Sequence, residues 1–283
     1  MSSSPLSSLA RWAFTKPKRP LRVIWLTGER TVAIVSPGMD REPVIEGVIF
    51  DLDGVLIDSE RVWDRARRET VERAGGRWSE RASTDMLGMS APEWSAYLRD
   101  ALAVPLDAPE INRRVLAAVT AQLQRELPLM PGACAAVDRL ARRWPLGLAS
   151  SSNRGVIDLV LEKSGLTRSF AATVSSEEVE HGKPAPDVYL AAAGGLGVDP
   201  RRTVAIEDSA NGIRSAEAAG MVVVAVPNRE FPPAPDALAL AALCVDTLDR
   251  LRPGALERIA RERIARERIA RARVGCGGRA RPA

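Results

Sequence analysis

The chain has 283 residues, 46% of them hydrophobic, enough to build a real core in one large domain or two modest ones. No apolar run approaches the ~20 residues that span a bilayer. Cys134, Cys244 and Cys276 form no Cys-x-x-Cys pair, which argues against a disulfide framework or a zinc site and points to a reducing cytoplasm. The net charge of +4 is carried by the ends: residues 250–283 hold +8 and residues 1–46 hold +3, so the part between them is acidic at −7 and a basic partner surface is not a property of the centre.

The chain opens MSSSPLSSLARWAFTKPKRP, Ser-rich and basic, without the continuous apolar stretch of a secretory signal. Residues 1–44 read as an N-terminal extension from a start codon assigned too far upstream, with Met39 close to the first firm strand; a transit peptide is the alternative. Residues 22–35 carry a hairpin pattern around Thr27-Gly28-Glu29-Arg30. The first buried strand is expected at residues 45–50, interrupted at Glu46. From about Glu60 to Leu129 the periodicity is helical, with Ser90 and Glu93 spelling a capping box and Pro92 in the first turn. Apolar runs then follow at residues 146–149, 172–174, 203–206 and 221–226. Helical patterns at 134–143, 155–164, 186–194 and 209–219 alternate with them.

This alternation predicts an α/β fold with a doubly wound parallel sheet. Residues 45–59 and 130–250 form the core domain and residues 60–129 a small all-helical domain over the strand ends. Residues 251–283 form an Arg-rich tail whose repeat, 256-LERIARERIARERIARARV-274, sets each Glu four residues before an Arg. Such pairs support a helix by a few tenths of a kcal/mol each. Ile259, Ile264 and Ile269 advance about 500° per repeat and spiral round the helix instead of forming a stripe. A solvated helix is the expectation; weak, salt-sensitive contact with nucleic acid or an acidic surface is the alternative.

In doubly wound sheets ligands sit beyond the carboxyl ends of the strands. The loops there read Asp51-x-Asp53-Gly54, then 150-SSSN-153, then 182-GKPAPDVYL-190, then 207-EDSANGI-213. The second places three hydroxyls where a helix opens, and helix N-termini favour anions. The third offers Lys183 as a fixed cation in a loop stiffened by Pro184 and Pro186. Each loop alone has a plainer reading: loop acids, a Ser150 N-cap, a solvated Lys183. Together they suit a Mg²⁺-dependent phosphoryl site, because Mg²⁺ takes hard carboxylate oxygens and phosphate oxygens at once. It would also relieve the repulsion among Asp51, Asp53 and Asp208, about 4 kcal/mol per pair at ~4 Å and an effective dielectric near 20.

These four motifs in this order resemble the haloacid dehalogenase (HAD) superfamily over about residues 45–248, with the helical insert similar to its small C1 cap. The resemblance implies a Rossmannoid core and a role for each motif residue. Asp51 would be the nucleophile that forms an aspartyl-phosphate. Asp53 would be general acid and then base. The carboxylates of Asp51 and Asp208 and the backbone carbonyl of Asp53 would hold Mg²⁺, with Glu207 on the ion or behind it. Ser150 and Lys183 would bind the transferring phosphoryl group, with Ser151 or Ser152 sharing that task.

The segment 58-DSERVWD-64 is similar to small sugar-phosphate phosphatases. The related β-phosphoglucomutases usually carry His where Trp63 stands and Arg where Ala91 stands. Trp63 and Arg67 are the substrate-facing candidates of the cap, and Arg65 or Arg68 could also supply a cap cation. Asp58 or Glu60 is expected to cap the first cap helix, Trp78 and Trp94 to be core, and His181 to be a loop residue. The implied function is a cytoplasmic Mg²⁺-dependent phosphatase of a small phosphorylated metabolite, a sugar phosphate first. A β-phosphoglucomutase-type mutase is the alternative, and a non-catalytic HAD-fold protein acting through its basic tail is the alternative of another class.

Overall fold

A computed structural model describes residues 44–86, 89–228 and 232–276, with side chains of the last helix up to residue 266. The hairpin expected at residues 22–35 lies outside the described residues. After β1 (Gly47–Phe50) comes a run of helices, α1 (Glu60–Arg73), α2 (Ala82–Asp85), α3 (Ala91–Asp100) and α4 (Ala108–Arg125). Strands and helices then alternate: α5 (Ala133–Ala141), β2 (Leu146–Ser150), α6 (Arg154–Ser164), β3 (Ala172–Ser175), α7 (Asp187–Leu196), β4 (Thr203–Glu207), α8 (Ala210–Ala218), β5 (Val222–Ala225), α9 (Pro235–Leu238), β6 (Leu243–Cys244) and α10 (Pro253–Cys276). The strands form one parallel sheet in the order β3-β2-β1-β4-β5-β6.

Both faces of the sheet are covered. Val48 and Phe50 of β1 pack with α5 and α6, while Ile49 between them packs with α7 and α8, the alternation a pleated strand imposes. Strands buried on both faces need apolar residues at every position, which is why they read as unbroken runs in the sequence. Glu46, the interruption before β1, lies outside the strand; its carboxylate accepts from the Asp199 N–H at 2.9 Å and pairs with Arg202 at 3.1 Å. The edge strand β6 has two residues, near the end of the apolar run 237-ALALAALCV-245 whose earlier part includes the end of α9.

The helical insert has buried residues of its own, among them Trp63 and Ala66 of α1, Trp94 and Leu98 of α3, and Ile111, Val115, Val119 and Leu123 of α4. The Glu93 carboxylate accepts from the Ser90 N–H at 2.7 Å where α3 begins. The two segments that enter and leave the insert run side by side: the Asp58 N–H donates to Pro128 O at 2.7 Å, and the Met130 N–H to Leu56 O at 2.9 Å. Lys163 of α6 donates to Leu123 O and Gln124 O at 2.8 and 2.6 Å, a cation placed on the last carbonyls of α4.

The tail departs from the solvated helix the sequence predicts. Leu256, Ile259 and Ala260 are buried, Glu257 pairs with Arg143 at 2.9 Å, and the Arg263 guanidinium donates to Gly220 O at 2.9 Å and to Met221 O. A repeat looks uniform in sequence, but its first turns lie where the core offers them a surface. Ile264, one repeat further on, is half-buried.

Candidate active site

β1 is flanked by β2 and β4, with Phe50 level with both Leu148 and Ile206. Asp51 therefore leaves the sheet beside Glu207, the last residue of β4. Lys183, from the loop after β3, places its ammonium 2.6 Å from Asp51 Oδ1 and 2.6 Å from Glu207 Oε1. Glu207 is fully buried and accepts five hydrogen bonds: Lys183 Nζ and the Tyr189 hydroxyl on Oε1, and the N–H groups of Asp208 and Ser209 with the Ser209 hydroxyl on Oε2. Two glycines make room. A Cβ on Gly212 would stand 1.7 Å from Glu207 Oε1, and one on Gly54, at φ +74°, would stand 1.8 Å from Asp208 Oδ2.

Asp53 sits in different surroundings. Oδ1 accepts from the Ser59 hydroxyl at 2.5 Å and the Trp63 indole at 3.1 Å, and Oδ2 from the hydroxyls of Ser152 at 2.6 Å and Ser150 at 3.3 Å. Ser150 is fully buried and also accepts from the Ser152 N–H at 2.9 Å, so it is not the cap of α6; that position is Asn153. Ser151 is half-buried, and no side-chain hydrogen bond of it is found among the described residues. Nor do Asp58 or Glu60 cap α1. Its N-cap is Ser59, whose hydroxyl is turned to Asp53 instead of the helix.

The electrostatics separate the groups. Burial pushes Asp51 well above the ordinary aspartate value of 3.8; Lys183 pulls it back, and Glu207 and Asp53 add to the rise. Burial, Glu207 and Asp51 push Asp208 well above it too. Burial works against the Lys183 ammonium, but Asp51 and Glu207 outweigh it and hold its pKa above the ordinary lysine value. Burial and the same two carboxylates raise Tyr189, which stays a hydroxyl donor. Asp51, Glu207 and Asp208 offer carboxylate oxygens within 4.8 Å of one another, all buried. Three crowded carboxylates with one ammonium between them are short of positive charge, and their hard oxygen donors fit a small divalent cation. The five donors already on Glu207 leave Asp51 and Asp208 as the better-placed ligands, with Glu207 behind them. The Asp53 side chain is not part of this cluster.

The loops thus bring together Asp51, Lys183, Glu207 and Asp208, and beside them Asp53, Ser150, Ser152 and Trp63. Arg67 is buried on α1 and touches none of the core acids at ion-pair distance. Trp94 is core, whereas His181 is an exposed loop residue 3.2 Å from Asp187. Sequence reasoning missed Tyr189 and Ser59. A tyrosine six residues after Lys183 carries no signal of its own; its hydroxyl reaches Glu207 because the first turn of α7 faces back under the site.

Residues 45–220 match the haloacid dehalogenase-like hydrolases. The chain is 39% identical over 195 residues to hexitol phosphatase B of Escherichia coli (strain K12), covering 66% of this chain and 85% of that protein. It is 31% identical over 182 residues to fructose-1-phosphate phosphatase YqaB of the same strain, covering 64% and 95%. Its fold is similar to that of β-phosphoglucomutase from Clostridium difficile, with a TM-score of 0.69 and 24% identity, over 78% of this chain and 99% of that one. Among the described residues, no helix is long and apolar enough to cross a membrane. From the match over the core and from the four strand-end loops it contains, the chain belongs to the haloacid dehalogenase-like hydrolase family.

Proposed function

We propose that this chain is a Mg²⁺-dependent phosphatase of small phosphorylated metabolites, sugar or polyol phosphates first, working through an aspartyl-phosphate. The observation that carries the reading is the sorting of two neighbouring acids. Asp51 lies against Lys183 at 2.6 Å, in the cluster with Glu207 and Asp208, while Asp53 lies among hydroxyls and an indole. Carboxylates in such different surroundings suit different tasks. The relatives named as hexitol and fructose-1-phosphate phosphatases support the substrate class.

Asp51, Asp208 and the backbone carbonyl of Asp53 would hold Mg²⁺, with Glu207 behind them; bound there, the ion would neutralise charge on the phosphoryl oxygens. Lys183 fixes Oδ1 of Asp51 and presents a charged donor to the phosphoryl group. The other oxygen of Asp51 attacks phosphorus; the Asp51–phosphorus bond forms as the ester P–O bond breaks, and Asp53 gives its proton to the departing oxygen. Asp53 then takes a proton from water as that water attacks phosphorus, releasing inorganic phosphate and free Asp51. Ser151 is the hydroxyl of its loop left over for the phosphoryl group, since Ser150 and Ser152 are engaged with Asp53. Residues 60–129, which include α1 to α4, act as a cap that closes the site from water. The free thiols of Cys134 and Cys244 support a reducing, cytoplasmic setting.

The test is release of inorganic phosphate from a panel of phosphorylated metabolites, with Mg²⁺ and with EDTA, by the wild type and by Asp51→Asn. Hydrolysis that requires both Mg²⁺ and Asp51 is expected. Unchanged activity in Asp51→Asn would remove the nucleophile assignment. Conversion of β-glucose 1-phosphate to glucose 6-phosphate without phosphate release would replace hydrolase by mutase.

A further inference from the structure

The loop after β2 is held by residues from another strand. Ser150 and Ser152 of that loop meet Asp53, and Ser151 is the hydroxyl left for the phosphoryl group. β2 and β3 pair in register up to Ser150 and Ser175, so the loops that follow them leave the sheet side by side. The Ser175 hydroxyl donates to Ser152 O at 2.7 Å and the Ser176 hydroxyl to Ser150 O at 3.3 Å. Glu177 closes the grip with both carboxylate oxygens. Its Oε1 accepts from Asn153 Nδ2 at 2.5 Å and its Oε2 from the Arg154 N–H at 2.9 Å.

Helix stability alone does not ask for this arrangement. Asn153 is the N-cap residue of α6, and asparagine is among the best acceptors for the first N–H groups of its own helix. Here its side chain makes no such bond. The amide is turned to Glu177, Oδ1 is buried without a hydrogen-bond partner among the described residues, and the Arg154 N–H goes to Glu177 instead. A buried acceptor left unpaired is costly, so a good local cap has been exchanged for a conformation imposed from β3. The first N–H of α6, which the sequence offers to an anion, is also taken by the protein's own carboxylate. The phosphoryl group is left to the residues before it, and Glu177 sets where they stand.

We infer that Glu177 is a positioning residue of the phosphoryl-binding loop: by holding the Asn153 amide and the Arg154 N–H, it keeps Asn153 from capping α6 and fixes the stance of residues 150–152. This rests on the phosphatase reading above. Without Glu177, Asn153 is free to cap α6 in the ordinary way, so the helix keeps a cap while the loop shifts. The loss therefore falls on phosphate binding and not on folding. The test uses the full chain with Mg²⁺, sorbitol 6-phosphate as substrate and inorganic phosphate as probe, read as competitive inhibition and as the rise in Tm it produces. Glu177→Gln keeps the size but offers one acceptor where two donors wait. It should weaken phosphate binding about ten-fold and lower kcat/KM roughly 10- to 30-fold, the scale of a lost hydrogen bond to a charged group. Its Tm without phosphate should stay within about 3 °C of wild type, and the Mg²⁺ concentration for half-maximal activity within about two-fold. Glu178→Gln, which weakens the neighbouring pair with the Arg154 guanidinium at 2.6 Å, should leave phosphate binding within about two-fold, as for an exposed ion pair. Unchanged phosphate binding in Glu177→Gln overturns the inference, as does an equal loss in Glu178→Gln. If Glu177→Gln does not fold, Glu177→Asp, which keeps the charge but withdraws it by one carbon, is read in the same way, and unchanged phosphate binding there overturns the inference. A wild type that hydrolyses no ester counts against the phosphatase reading instead, and the Tm rise with phosphate still decides the part of Glu177.

Discussion

The indole Nε1 of Trp63, in the first turn of α1, donates to Oδ1 of Asp53 across 3.1 Å and so ties the helical insert to the acid of the core loop. Ser59, at the foot of the same helix, donates to the same oxygen. The Asp53 carboxyl, the group proposed to face the leaving oxygen, is therefore oriented partly by the insert, and its geometry depends on how the insert sits on the core.

Trp63→Phe keeps a ring against Trp94 and Arg67 but removes the N–H. Loss of one hydrogen bond to a charged group is worth about 1.5–3 kcal/mol. We expect kcat to fall roughly 10- to 100-fold with little change in Tm, measured by phosphate release and thermal unfolding. An unchanged kcat would show that Ser59, Ser150 and Ser152 position Asp53 without the indole.

The strand-end loops were readable because a parallel sheet demands long apolar runs, and each run points to the loop that follows it. Asp51 and Asp208 could be found that way, each within two residues of a run, and Lys183 in the longer loop that follows β3. The supports around them could not. Ser59 looks like an ordinary N-cap and serves Asp53; Tyr189 looks like a core aromatic and holds Glu207. In both cases a second role is created by contacts distant in sequence, to which local pattern is blind. The packing of Ile259 was hidden for a related reason: its repeat unit is identical to that of Ile264, and the neighbouring core, not the repeat, distinguishes them.

Tyr189→Phe tests that support directly. The hydroxyl bonds Glu207 Oε1 at 2.9 Å in a fully buried setting, and the substitution leaves the ring in place. Glu207 would keep Lys183 on that oxygen and lose one of its five donors. We expect a loss of about 1–3 kcal/mol in unfolding free energy, seen by urea denaturation in EDTA. A neutral result would mean that Lys183 alone satisfies Oε1.

The raised carboxyls set a pH dependence for the metal-free protein. Asp51 and Asp208 titrate above 3.8 in the fold because they are buried, so the folded state binds more protons than the unfolded chain above that pH. Their contribution to stability is full below 3.8 and is lost as pH rises through the raised values. A divalent cation must displace those protons, so its binding strengthens with pH. The rise in Tm produced by Mg²⁺ over EDTA should be larger at about pH 8 than at about pH 5.5. A rise independent of pH would argue that Asp51 and Asp208 are not the ligands.

Deleting residues 254–283 should damage the fold without touching the chemistry. Leu256 is fully buried, Ile259 and Ala260 nearly so, and Glu257 reaches Arg143 on the core. Burying a large aliphatic side chain contributes about 1.5–3 kcal/mol, so removing both Leu256 and Ile259 is a heavy loss for a domain of ordinary stability. None of these residues touches Asp51, Asp53 or Lys183. The expected result is a marked fall in Tm with kcat close to wild type at a temperature where the truncated protein stays folded. Leu256→Ala, costing about 2–5 kcal/mol, should reproduce much of the fall with the charges of the repeat intact. If Leu256→Ala leaves Tm unchanged while the deletion lowers it, the repeat's charged side chains, and not its apolar contact with the core, stabilise the protein.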